Sequence, residues 1–123
     1  MRHLKTYENM SDNLHIGDYI LVHYDLDPVL IGYKPNKADI ELANYLNNNI
    51  GQIPYGSDLS KKYITVNYHT TPNKRILDYF QDQTDYEKTY NIYRRVIEKS
   101  YIIAVSKNKD DIEAIVDGNK YNL

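Results

Sequence analysis

The sequence predicts a single α+β domain spanning residues 1–123, a small bent antiparallel sheet or partly open barrel decorated by two or three short helices. Three observations carry that prediction. Short β-branched and aromatic runs recur near positions 20, 52, 66 and 103. Cap-plus-apolar patterns that read as helices lie between and after them. Finally, 123 residues suffice for one compact domain and leave no room for a second with its own core.

Residues 1–16 are polar with scattered apolar positions, and a helical turn over Thr6 to Met10 would place Tyr7 and Met10 on one side. Gly17-Asp18 then opens the run Tyr19 to Tyr24, read as a strand with Ile20, Val22 and Tyr24 inward. Asp25, Asp27 and Pro28 close it as a turn, and Val29-Leu30-Ile31 forms an edge strand or an extended loop. Asn36 with Asp39 three residues on starts a helix to about Asn47, with Ile40, Ala43 and Leu46 on one face. The Asn47-Asn48-Asn49 run ends it, because Asn tolerates the left-handed conformation. Ile50 to Ile53 is a short strand in which Gly51 marks a bulge or tight bend.

Tyr63 to His69 is the clearest alternation: Ile64, Val66 and Tyr68 inward, and Thr65, Asn67 and His69 outward. Thr71-Pro72 reads as a helix start, followed by an Ile76, Leu77, Phe80 stripe. Gln81 to Lys88 is a polar connection. Tyr90 to Val105 holds two short strands and a turn, with either Ile102 and Ala104 or Ile103 and Val105 facing in. A last helix begins at Asn108, with Asp110 and Asp111 in its first turn and Ile112, Ile115 and Val116 buried, and Gly118 closes it before the tail Lys120 to Leu123.

Gly17-Asp18-Tyr19-Ile20-Leu21, Asn49-Ile50-Gly51-Gln52-Ile53 and Tyr63 to Tyr68 together resemble the strand pattern of SH3-like barrels. With Ser106 to Glu113 and the Lys120-Tyr121-Asn122-Leu123 tail, the chain is similar to small SH3-like barrel proteins of large DNA viruses and phages. The long insertion Val29 to Tyr45 and the stretch Tyr79 to Tyr93 depart from that pattern. The resemblance implies an SH3-like barrel, transfers no catalytic residue, and places the protein in a host cell cytoplasm, where such a module could inhibit a host defence protein.

Composition narrows the function classes. The absence of Cys excludes a disulfide framework, a zinc ribbon and a thiol nucleophile, and suits a reducing cytoplasm. The longest apolar runs are far shorter than the ~20 residues that span a bilayer, and no signal-peptide pattern opens the chain, so a soluble protein with no membrane partner is expected. A net charge of -2 fits neither a strongly basic nucleic-acid binder nor an acidic DNA mimic. Fourteen Tyr beside one Phe and no Trp require Tyr to serve in the core as well as on the surface.

No constellation identifies a reaction, so no catalytic residue and no cofactor is assigned. His23 and His69 are at most half of a metal site, and the dispersed glycines form no phosphate loop. Asp25 and Asp27, with Lys34 downstream, would serve a small metal-dependent hydrolase only if they did more than form a turn. Ser106 lacks a nucleophile-elbow context.

Arg94, Arg95 and Lys99, interleaved with Tyr90, Tyr93 and Tyr101, are the nucleic-acid-binding candidates. Tyr33, Tyr55, Tyr63 and Tyr90 are the candidate protein-binding residues, because exposed Tyr offers large, stiff, amphipathic contact area. Tyr24, Tyr68 and Tyr101 are expected to be buried. The leading expectation is a non-enzymatic module with another protein as its partner. A nucleic-acid-associated barrel is the alternative and the hydrolase a remote one. Short edge strands leave the oligomeric state open.

Overall fold

A computed structural model describes residues 14–24, 26 and 32–121. Five strands, β1 (Tyr19–Val22), β2 (Gly51–Gln52), β3 (Tyr63–Tyr68), β4 (Tyr93–Glu98) and β5 (Ile102–Ser106), form one open antiparallel sheet in the order β4-β3-β2-β1-β5. The first four make a meander. A 3₁₀ turn at Lys99–Tyr101 then carries the chain from the β4 edge to the β5 edge, beside β1. Helices α1 (Lys37–Asn48), α2 (Asp85–Thr89) and α3 (Lys109–Tyr121) and a second 3₁₀ turn at Lys74–Tyr79 complete the described elements. The expected α+β architecture, a small bent antiparallel sheet with short helices, is the one observed. No described helix is long and apolar enough to cross a membrane.

Two cores sit on the two faces of the sheet. On the inner face Ile20, Val22, Ile64, Val66, Tyr68, Ile97 and Ile102 pack against Leu42 and Leu46 of α1 and against Ile76 and Phe80. On the outer face Leu21 and Ala104 pack against Ile112 and Val116 of α3. A register shift explains how Ile102 and Ala104 are both buried, yet on opposite faces. Leu21 pairs with Ala104 and Val22 with Ile102, so Ile103 is an extra residue in β5 and resets the alternation.

Gly51 is needed for close approach. A Cβ there would lie 2.3 Å from Val66 Cγ1 and 3.1 Å from the Tyr68 ring, so the bare backbone lets the largest inner-face side chains of β3 lie against β2. It is not a bulge.

Several expectations are corrected. β1 ends at Val22 rather than Tyr24, because the Asn47 side chain takes the place of a neighbouring strand. Its Oδ1 accepts from Tyr24 N at 2.7 Å and its Nδ2 donates to Tyr24 O at 3.2 Å. The Asn36–Asp39 capping box of α1 forms as read, but its buried face is Leu42, Ala43 and Leu46, and Ile40 is 45% exposed. The i, i+3, i+4 arc turns away from Ile40. Asn49 ends α1 in extended rather than left-handed backbone (φ -125°). The side-chain amides of Asn48 and Asn49 reach back one turn and donate to the carbonyls of Asn44 and Tyr45.

Thr71 and Pro72 do not start the next helix. Asn73 caps a 3₁₀ turn by accepting from Arg75 N, and Leu77 faces outward. The polar connection Gln81 to Lys88 contains the start of α2, closed by a Thr84–Glu87 capping box. Helix α3 runs through Gly118 to Tyr121. Tyr101 is 39% exposed, leaning on half-buried Tyr24 with ring centroids 4.6 Å apart, whereas Tyr68 is fully buried. The readings of residues 1–13, of the Asp25–Asp27–Pro28 turn, of Val29 to Ile31 and of the last two residues lie outside the described residues.

Candidate binding surface

Helix α3 covers the outer face of the sheet over β1 and β5. Over β3 and β4 that face is open. Antiparallel partners share a face, so the pairs Tyr63↔Glu98, Thr65↔Val96 and Asn67↔Arg94 project there, away from Ile64, Val66 and Tyr68. The turn after β2 and helix α2 rise on either side, leaving a groove of about 360 Å³ whose lining includes Tyr55, Thr65, Asn67, Tyr86, Glu87 and Arg94.

Each wall has a local cause. In Pro54-Tyr55-Gly56-Ser57, Gly56 takes φ +87° and Ser57 N donates to Pro54 O at 3.4 Å, the pattern of a type II turn that needs Gly at its third position. Tyr55, at the second position, is thrust outward and is 97% exposed. The Ser57 hydroxyl donates to Thr65 O at 3.4 Å and ties the turn to β3.

On the other side, Glu87 closes the capping box of α2 and pairs with Arg94, Nε to Oε2 at 2.5 Å. One buried carboxylate thus fixes both the helix and the floor of the groove. Asn91, at φ 57°, reverses the chain into β4, and its Nδ2 donates to His69 O at 2.6 Å. Tyr86 on α2 and Tyr90, its C-cap residue four positions on, pack with tilted rings whose centroids are 4.6 Å apart, and both are exposed.

The structure places the tyrosine candidates unevenly. Tyr33, Tyr55, Tyr63 and Tyr90 are all exposed. Tyr55 lines the groove, Tyr90 packs on groove-lining Tyr86, and Tyr63 stands on the same sheet face under Lys62, which lies 5.6 Å from its ring centroid. Tyr33 lies elsewhere, beside Tyr24, Tyr79 and Arg95 in a hollow of about 150 Å³. Tyr86 was not among the sequence candidates. The Thr84-Asp85-Tyr86-Glu87 capping-box pattern was the signal that would have put it on a helix beside Tyr90.

The basic trio is not brought together. Arg94 and Arg95 are adjacent in β4 and project to opposite faces. Arg94 pairs with Glu87. Arg95 donates to Tyr79 O at 2.6 Å and lies over the Tyr79 ring, and Lys99 donates to Leu59 O at 2.7 Å. His23 and His69 are exposed just past the ends of β1 and β3, and Lys34 is exposed. Among the described residues no group of three or more His, Cys, Asp or Glu could hold a metal ion. Asp25 and Asp27 lie outside those residues.

At the end of β4, the Glu98 carboxyl is held below its usual range by a hydrogen bond from the Ser100 hydroxyl, reinforced by Lys62, whose ammonium lies 3.3 Å away. Burial pushes the phenols of Tyr68 and Tyr45 well above their ordinary value. No protein-family model, curated protein or solved structure matches the chain.

Proposed function

We propose that the protein is a non-enzymatic binding module that recognises another protein through the open outer face of β3 and β4. The observation that carries this reading is the set of exposed tyrosines, Tyr55, Tyr86 and Tyr90, held on rigid supports around a groove with a polar floor. Tyr loses little side-chain entropy on binding and combines apolar area with a hydrogen-bonding tip, the properties that recognition surfaces use. A type II turn and a capped helix fix its backbone in advance, which lowers the ordering cost of association.

A nucleic-acid surface has less support. Phosphate contacts need clustered, available cations, whereas Arg94, Arg95 and Lys99 are each engaged within the protein and do not share one face. The resemblance to viral and phage proteins points to a host defence protein as the class of partner.

The test replaces Tyr55 and Tyr86 together by Ser in a tagged protein. The expected result is loss of the partner captured by the wild type, with the melting temperature within about 2 °C, because exposed side chains contribute little to folding. Undiminished capture would remove this surface from consideration.

A further inference from the structure

The strand register places four side chains of the outer face in one row across the sheet: Tyr19 opposite Gln52, Gln52 opposite Asn67, and Asn67 opposite Arg94. The row joins two hollows. Asn67 and Arg94 line the groove described above, and Tyr19 and Gln52 line a second hollow of about 340 Å³, walled by His69, Thr70 and by Lys109 and Glu113 of α3. Three strand spacings of about 4.8 Å make the row about 14 Å long, a distance that four or five extended residues cover.

We propose that this row is the floor of a channel that takes an extended, uncharged polypeptide segment of the partner and grips its main chain. The proposal rests on the protein-binding reading and names the kind of segment bound.

Three observations support it. First, the floor carries two carboxamides with unused capacity. Gln52 donates Nε2 to Gly17 O at 3.1 Å, which leaves its Oε1 as an acceptor. Asn67 Oδ1 is covered and lacks a donor, and the broad two-fold χ2 torsion of Asn lets a half-turn present either end of the amide to the groove. Second, Asn47 already pairs with both the N–H and the C=O of Tyr24, so the fold itself contains the contact proposed for the partner. Third, each end of the row has an ion pair that compensates its own charge, Arg94 with Glu87 and Lys109 with Glu113 at 3.8 Å. The channel therefore offers hydrogen bonds without a net field and favours neither a polyanion nor a strongly basic chain.

The test uses a displayed library of random 12-residue peptides selected on the intact protein. The enriched peptide is then synthesised and its affinity measured by fluorescence anisotropy. The expected peptides are low in charge, and Gln52→Leu and Asn67→Leu each weaken the selected peptide about five- to tenfold, the scale of one lost hydrogen bond. N-methylation of a central residue of the peptide weakens it at least as much, a readout that requires no variant to fold. The proposal is overturned if no peptide is enriched, if N-methylation at every position is harmless, or if a 20-nucleotide oligo-dT displaces the peptide. Capture of the natural partner that needs Tyr55 and Tyr86 but ignores both Leu variants would remove the channel and leave the tyrosine surface standing. Capture indifferent to all four positions would remove both.

Discussion

Replacing Gly51 by Ala tests the contact that seats β3 on β2. The added methyl would stand 2.3 Å from Val66 Cγ1 and 3.1 Å and 3.3 Å from atoms of the Tyr68 ring, and both neighbours are fully buried. Overpacking of this kind costs about 1–3 kcal/mol. Against it stands a gain of about 0.4–1 kcal/mol, because Ala restricts the unfolded chain more than Gly does. The net expectation is a loss of about 1–2 kcal/mol, or roughly 3–8 °C in melting temperature for a domain of this size.

Val66→Ala removes the clashing methyl at its own cost of about 2 kcal/mol for a buried side chain. If the clash is the cause, the two changes are not additive. The Gly51→Ala/Val66→Ala protein should be about as stable as Val66→Ala alone, with a coupling energy of about 1–2 kcal/mol. Urea unfolding of the four proteins measures the cycle. Additive losses, or a Gly51→Ala protein as stable as the wild type, would refute the close-approach argument.

Two further outcomes follow from the same geometry. The Tyr68 hydroxyl is buried without a hydrogen-bond partner, and an orphan of this kind costs about 1–3 kcal/mol; Tyr68→Phe keeps the edge contacts with Tyr45 and Phe80 and should raise stability by about 1–2 kcal/mol in urea, so a clear loss would mean that the hydroxyl is satisfied. Because the Glu98 carboxyl is held below its ordinary 4.5, its contribution is present above that pH and is lost as the pH falls through the lower folded value. The melting-temperature gap between the wild type and Glu98→Gln should therefore be widest near neutrality and narrow progressively as the pH falls below 4.5, whereas a gap independent of pH would contradict the assignment.

The parts of the fold legible in the sequence were those set by local chemistry. The alternation of Ile64, Val66 and Tyr68 and the Asn36–Asp39 capping box both appear where the pattern placed them. What local pattern could not supply were effects of distant partners. The end of β1 depends on Asn47, 23 residues on from Tyr24, and the split burial of Ile102 and Ala104 depends on a bulge defined only by pairing with β1.

The surface was legible in the same partial way. Exposure of Tyr33, Tyr55, Tyr63 and Tyr90 was read correctly, because each lies in a polar or turn context. Their grouping was not, since it depends on which face of β3 and β4 remains uncovered. The Gln52–Asn67–Arg94 row is a product of register, which no single segment encodes.

The central claim, that partners dock on the uncovered outer face of β3 and β4, is tested most directly by amide NMR of the labelled protein titrated with its captured partner or with a selected peptide. The account predicts perturbed signals at Tyr55, Thr65, Asn67, Tyr86 and Arg94, and unperturbed ones along α1. Changes centred on α1 and the Lys74–Tyr79 turn, with the outer face silent, would contradict it.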